Sequence, residues 1–169
     1  MSGLFLSAFY FILPAYCANM AVVFFDRVVC KDCGGIYGVP LDFHLTVGMD
    51  KTPLIGPHKK IGGLLIGILT ALIVVFLQGR PYLVGLFMGA GSVLGDAVES
   101  FLKRRLKIGE HGPLPILDQI DSPLGAIALT YFWLQPSISM IAAVLAMSVV
   151  LVLLVNIISY KLKIKETWW

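Results

Sequence analysis

The stretch "GAGSVLGDAVESFLKRR", residues 89–105, begins like the interior of an apolar helix, then carries Asp96 and Glu99 and ends on Lys103, Arg104 and Arg105. On a helix, positions three, four and seven apart share a face, so Asp96, Glu99, Ser100 and Lys103 fall on one side. Gly85, Gly89, Ser92 and Gly95 precede them at helical spacings, and small residues let neighbouring helices approach closely within a membrane. The carboxylates are therefore expected to face the inside of a bundle.

The rest of the chain says what kind of bundle. Of its 169 residues, 58% are hydrophobic and 14% charged, with a mean hydropathy of +0.88; an ordinary soluble domain carries about 25% charged residues. This is the composition of an integral membrane protein. A bilayer core takes about 20 apolar residues per helix, and residues 1–25, 61–79 and 122–160 contain no charge. The first run lacks an early Lys or Arg and an obvious small-residue cleavage site before "FFDRVV", so it reads as a retained helix rather than a signal peptide, at about 4–28. A second helix covers about 61–78 and stops at "QGRP"; a third opens at Pro81 and runs to about 106. The last run divides at Pro136 in "LQPS" into helices at about 117–134 and 137–160. The expectation is an all-α integral membrane protein, one domain over 1–169, with five transmembrane helices and two longer loops, 30–60 and 107–116.

Orientation follows from the distribution of Lys and Arg in short loops. Among 13 such residues, only Arg80 falls in the second connection and none falls in the fourth. The others surround the two longer loops or sit in the tail. That side is expected to be cytosolic, with the N-terminus outside the cell membrane and the C-terminus in the cytosol.

On the same side, "LDQIDS" opens the fourth helix with Asp118 and Asp121, followed on the same face by Ser122 and Gly125. At about 1.5 Å of rise per residue, Asp96 lies roughly 12 Å inward from Arg104, below a basic rim. Carboxylates with cations above them, at headgroup depth, are a combination that binds divalent metal and phosphate together. Ionisable groups within membrane segments are costly and usually functional, although Glu99 with Lys103 is also an ordinary i,i+4 ion pair. Lys59 and Lys60 in "PLIGPHKKIGG" stand before Gly62 and Gly63 at the mouth of the second helix, where free N–H groups and the helix dipole favour anions. The same lysines also suit a topology anchor. Asn19 is a polar group in an apolar span, suited to an interhelical bond or to a ligand. His58 and His111 suit a nucleotide contact or an ordinary loop position. Cys30 and Cys33 in "CKDC" have no second pair and read as ordinary loop cysteines.

Taken together, "GDAVESFLKRRLKIGEHGPLPILDQIDS", residues 95–122, resembles the signature of membrane cytidylyltransferases: a GD, an ES followed closely by KR, a Gly/Pro-rich loop, then D-x-x-D at the head of the next helix. "GPHKKIGG" resembles the family's upstream lysine element, and the short chain is most similar to the archaeal branch, the CDP-archaeol synthases. The resemblance implies transfer of CMP from CTP to 2,3-bis-O-geranylgeranylglyceryl phosphate, with Mg2+ and without a covalent enzyme intermediate, giving a CDP-activated lipid and pyrophosphate. It implies Asp96, Asp118 and Asp121, with Glu99, as metal ligands, and Asp96, Asp118, Asp121 and Lys103 as the catalytic set. Lys59, Lys60, Lys103 and Arg104 would hold phosphates, Ser100 a triphosphate oxygen, and Asn19 is a further candidate substrate contact. "KIGEHGPLP" departs from the longer stretch of the bacterial and eukaryotic enzymes, so Lys107, Glu110 and His111 receive no role from the family.

The implied chemistry makes sense with these residues. The attacking group is a phosphate monoester whose second pKa is about 6, so no general base is required; alignment and charge neutralisation are. CTP, the prenylated lipid and the bilayer are the expected partners, and nucleic acid is not. Two other classes also use membrane carboxylates. CDP-alcohol phosphatidyltransferases need a D-G-x-x-A-R run, where this chain has "GDAVESFLKRR". An ion-coupled carrier is disfavoured by the cations around the carboxylates and by the lack of a convincing internal repeat.

Overall fold

The computed structural model describes residues 2–26, 34–47, 52–108, 112, 114 and 116–161. Among these residues five α-helices follow one another: α1 Ser2–Phe24, α2 Ile61–Leu77, α3 Tyr82–Arg105, α4 Leu117–Leu134 and α5 Ile138–Lys161. The expected boundaries agree to within about two residues, except at the end of α1, where a π turn covers Phe25 and Asp26 and residues 27–28 lie outside the described set. Between α2 and α3 the chain turns at Gly79, whose φ of +67 suits glycine, and Pro81 is the extended N-cap of α3.

Pro14 lies inside α1 and has no N–H to give the carbonyl of Tyr10. The turn after α2 supplies the substitute: Gln78 Nε2 donates to the Tyr10 carbonyl at 2.7 Å, and Arg80 Nη1 to the Phe11 carbonyl at 3.3 Å. The Arg80 guanidinium also lies 5.5 Å from the Phe11 ring centre. A proline in a membrane helix is tolerated when neighbours take up the freed backbone groups in this way.

Helix α3 is central, packing on α1, α2 and α4, while α5 closes the bundle against α1 and α4. Its contact with α4 is backbone against backbone: a Cβ on Gly95 would run into the Asp121 carbonyl, and one on Gly125 into the Gly91 carbonyl. Next to this crossing, Ser92 Oγ lies 2.5 Å from Ser122 Oγ and donates to the Ala15 carbonyl at 3.2 Å. The core around these bonds is built from Ile12, Val75, Met88, Ala126 and Val144. The outward faces are apolar, with Phe76 81%, Phe132 82% and Ile138 87% exposed; water would penalise such surface, hydrocarbon does not. Among the described residues, two helices, over Gly3–Phe24 and Tyr82–Arg105, are long and apolar enough by themselves to cross a bilayer.

The segment expected as a loop over 30–60 has structure of its own where it is described. Strands β1 (Thr46–Val47) and β2 (Thr52–Pro53) pair antiparallel. The pairing continues inward through the Leu54 N–H to the Leu45 carbonyl at 2.8 Å and the Leu41 N–H to the Lys59 carbonyl at 2.7 Å. This arm is pinned to the end of α3. Arg105 donates to the carbonyls of Val47 at 3.2 Å and Pro53 at 2.9 Å, and Arg104 Nε to that of Ile55 at 3.4 Å.

Candidate active site

The charged candidate residues gather at one end of the bundle. Asp96 and Glu99 come from α3, Asp121 from α4, and each offers one oxygen within 4.8 Å of the others. The glycine crossing explains why: with no side chains between them at Gly95 and Gly125, α3 and α4 bring their carboxylates into one cluster. Glu99 is buried, at 6% exposure.

Cations surround this trio. Lys59 reaches across from the arm to Asp96 Oδ2 at 2.5 Å, and Lys103 pairs with Glu99 one turn away. Asp121 accepts the Ser122 N–H at 2.6 Å. Three carboxylates so close in an apolar bundle repel one another, and two ammonium groups offset that only in part. The donor set, all oxygen and net negative, therefore fits a hard divalent cation.

Asp118, expected in the same cluster, sits at its edge rather than in the trio. Both its oxygens lie 3.2 Å from the Leu114 N–H, Oδ2 lies 3.3 Å from Lys103 Nζ, and its charge bears on Glu99. The reason is axial: one turn nearer the start of α4, its carboxylate meets the incoming chain. Lys103 is thereby held between Glu99 and Asp118.

A cavity of about 300 Å³ opens beside two members of the trio, Asp96 and Glu99. The arm lines it with Ile55, Gly56, His58 and Lys59, and α3 with Asp96, Glu99, Ser100, Lys103 and Arg104. A second, apolar groove of about 260 Å³ runs between α3 and α4, where Leu94, Val98, Leu102, Leu117 and Leu124 line it and Glu99 and Asp121 stand at its wall. The two spaces share Glu99.

Other residues fall elsewhere. Lys60 is the N-cap of α2, and its ammonium acts on Asp26 electrostatically. Gly62 and Gly63, which the sequence placed at an anion-binding helix mouth, are buried against Tyr37 and Val22. Asn19 is partly buried on α1. Cys30, Cys33, Glu110 and His111 lie outside the described residues. One member escaped sequence reading: Asp26, whose Oδ1 is buried without a hydrogen-bond partner among the described residues and whose charge interacts with Lys60, Lys59, Asp96 and His58. The available signal was that Asp26 is the first charge after a 25-residue uncharged run, at the C-terminal end of its helix.

Comparison with solved structures identifies the class. A protein described as an intramembrane enzyme for archaeal membrane lipids biosynthesis superposes with a TM-score of 0.70 at 28% identity, over 90% of this chain and 94% of that one. The present chain is likewise a membrane protein built as a helical bundle. Sequence comparison narrows this. A family model described as CarS-like CDP-archaeol synthase matches residues 80–169. The CDP-archaeol synthase of Methanocaldococcus jannaschii is 34% identical over 96% of both chains. That of Methanopyrus kandleri is 36% identical over 95% of this chain and 91% of its own, and that of Methanothermobacter thermautotrophicus 37% identical over the same shares. The chain belongs to the CDP-archaeol synthase family, and it is a CTP-dependent cytidylyltransferase.

Proposed function

We propose that this enzyme of archaeal lipid synthesis moves CMP from CTP onto the phosphate of 2,3-bis-O-geranylgeranylglyceryl phosphate. A lipid phosphate oxygen attacks the α-phosphorus, the bridging P–O bond to the β-phosphate breaks, and pyrophosphate departs with the electron pair. No covalent enzyme intermediate and no general base are needed, because the lipid phosphate is already ionised near neutral pH.

The observation that carries this reading is the carboxylate trio, two of whose members, Asp96 and Glu99, line a cavity together with Lys59, Lys103 and Arg104. Asp96, Glu99 and Asp121 are the Mg2+ ligands. When bound, Mg2+ supplies charge neutralisation to the triphosphate and the leaving pyrophosphate. Lys59, Lys103 and Arg104 hold phosphate oxygens, Ser100 donates to one of them, and Asp118 fixes Lys103 in place. The apolar groove between α3 and α4 takes a prenyl chain of the lipid, whose phosphate then lies at the Glu99 end and meets CTP arriving in the cavity. The five helices all span the membrane, with the arm and the 107–116 loop in the cytosol, so neither substrate has to cross.

The test is transfer of labelled CMP from CTP to a prenylated glyceryl phosphate by the purified protein. Product formation that needs Mg2+ and is lost in Asp121→Asn supports the reading. Normal transfer in the presence of excess EDTA, or no transfer under any divalent cation, sinks it.

A further inference from the structure

Outside the bundle, one carboxylate is less exposed to solvent than any in the cluster. Asp42, in the arm, is 3% exposed. Its Oδ2 accepts the N–H groups of Ile55 and Gly56, both at 2.9 Å, and its Oδ1 that of His44 at 3.1 Å. Hydrogen bonds to a charged acceptor are the strong ones, and all three donors here are main chain. A carboxylate so used ties backbone to backbone.

The backbone it ties is held in costly conformations. Phe43 and His44 have φ of 49 and 63, and Gly56 has φ of 119, a region that residues other than glycine adopt at a cost. Across the turn, the Ile55 carbonyl accepts from Arg104, and a Cβ on Gly56 would stand 3.0 Å from Arg104 Nη2. Ile55 and Gly56 line the cavity, and the chain continues directly into His58 and Lys59, which line it too.

We propose that Asp42 is a positioning residue for the nucleotide: by clamping the Ile55–Gly56 turn it sets where Lys59 and Arg104 meet the triphosphate. The inference rests on the cytidylyltransferase reading of the cavity, since it assigns that space to CTP. Asp42 touches neither substrate. Its loss therefore weakens capture of CTP and leaves the transfer step nearly intact.

Two variants of the full-length enzyme in detergent, Asp42→Ala and Asp42→Asn, separate the possibilities, with kinetics for both substrates and hydrogen exchange at the Ile55 and Gly56 amides. In Asp42→Ala the KM for CTP is expected to rise about tenfold, with kcat within about threefold and the KM for lipid unchanged. Exchange at the two amides is expected to accelerate while amides in α2, α3 and α4 stay protected. Asp42→Asn keeps an acceptor for Ile55 and Gly56 but turns a donor toward His44, so it is expected to fall between wild type and Asp42→Ala. Unchanged KM for CTP in both variants, or an equal rise for both substrates, overturns the proposal. Should Asp42→Ala fail to fold, Asp42→Asn decides by the same criteria. Absence of CMP transfer by the wild-type enzyme sinks the functional reading instead, and the exchange measurement then shows separately whether Asp42 holds the turn.

Discussion

At the residue scale, Asp118 and Asp121 look equivalent in "LDQID" and differ in the structure. Asp121 belongs to the trio, whereas Asp118 holds the Leu114 N–H and Lys103. Asp121→Asn is therefore expected to lower transfer about 100-fold or more at any Mg2+ concentration. Asp118→Asn should weaken it less, by about tenfold, because an amide still accepts from Leu114 and only the pull on Lys103 is lost. Initial rates across a Mg2+ titration distinguish the two, and an equal loss would mean that Asp118 is a ligand as well. Asp42 has a signature in pH. Burial pushes its carboxyl upward, but the N–H groups of Gly56, Ile55 and His44 more than offset this and hold it below the usual carboxylate range. Its stabilising contribution is present in full above the unfolded value of about 3.9 and is lost as pH falls through the lower folded value. Acidification below about pH 4 should thus release the Ile55 and Gly56 amides to exchange before the helices. Asp26 and Asp42 were not legible as site residues in the sequence, because neither has a motif partner nearby; their significance comes from groups at Lys60, Ile55 and Gly56 that folding brings to them.

At the element scale, the α3–α4 crossing decides whether the carboxylate trio can form. Gly95 faces the Asp121 carbonyl with no room for a Cβ, and two backbones cannot yield as a flexible side chain would. Gly95→Ala should cost about 1–3 kcal/mol or more, seen as a lower melting temperature in detergent, and should also spread the trio and reduce transfer. Gly3→Ala, which meets nothing within 4 Å, is the control and should leave both unchanged; a Gly95→Ala enzyme as stable and active as this control would contradict the packing. The helices themselves were legible, since charge-free runs bounded by "QGRP" and "LQPS" mark their ends. The arm was not. Its pairing joins residues 39–47 to 52–61 through backbone groups and is anchored by Arg104 and Arg105 from a distant helix, and neither leaves a periodic trace in hydropathy.

At the scale of the whole molecule, charged groups from the turn that ends α1, the arm, α3 and α4 meet at one end, while the opposite end carries Arg80, bonded to the Phe11 carbonyl beside Pro14. That cation has a structural reason to be there, which leaves the positive bias of the other end undiluted as an orientation signal. A membrane-impermeant thiol reagent should label Ser137→Cys in intact cells and Thr46→Cys only after permeabilisation, in a chain whose native cysteines are replaced; the reverse pattern would invert the assignment. Ligand linkage offers a second measurement. CTP with Mg2+ at about a hundredfold above its Kd should stabilise the fold by about 2.7 kcal/mol, and each alone by clearly less, because the trio and the cations are completed only together. By itself the sequence determined membrane residence, the number of helices, the positive side and the family resemblance, all of which depend on composition, periodicity and motif order along the chain. Only the tertiary structure decided which carboxylates lie together, that Lys59 reaches Asp96, and that Asp42 ties the turn beside the cavity. These depend on distances between segments far apart in sequence, set by glycine backbones in contact and by side chains that bond to remote carbonyl and N–H groups.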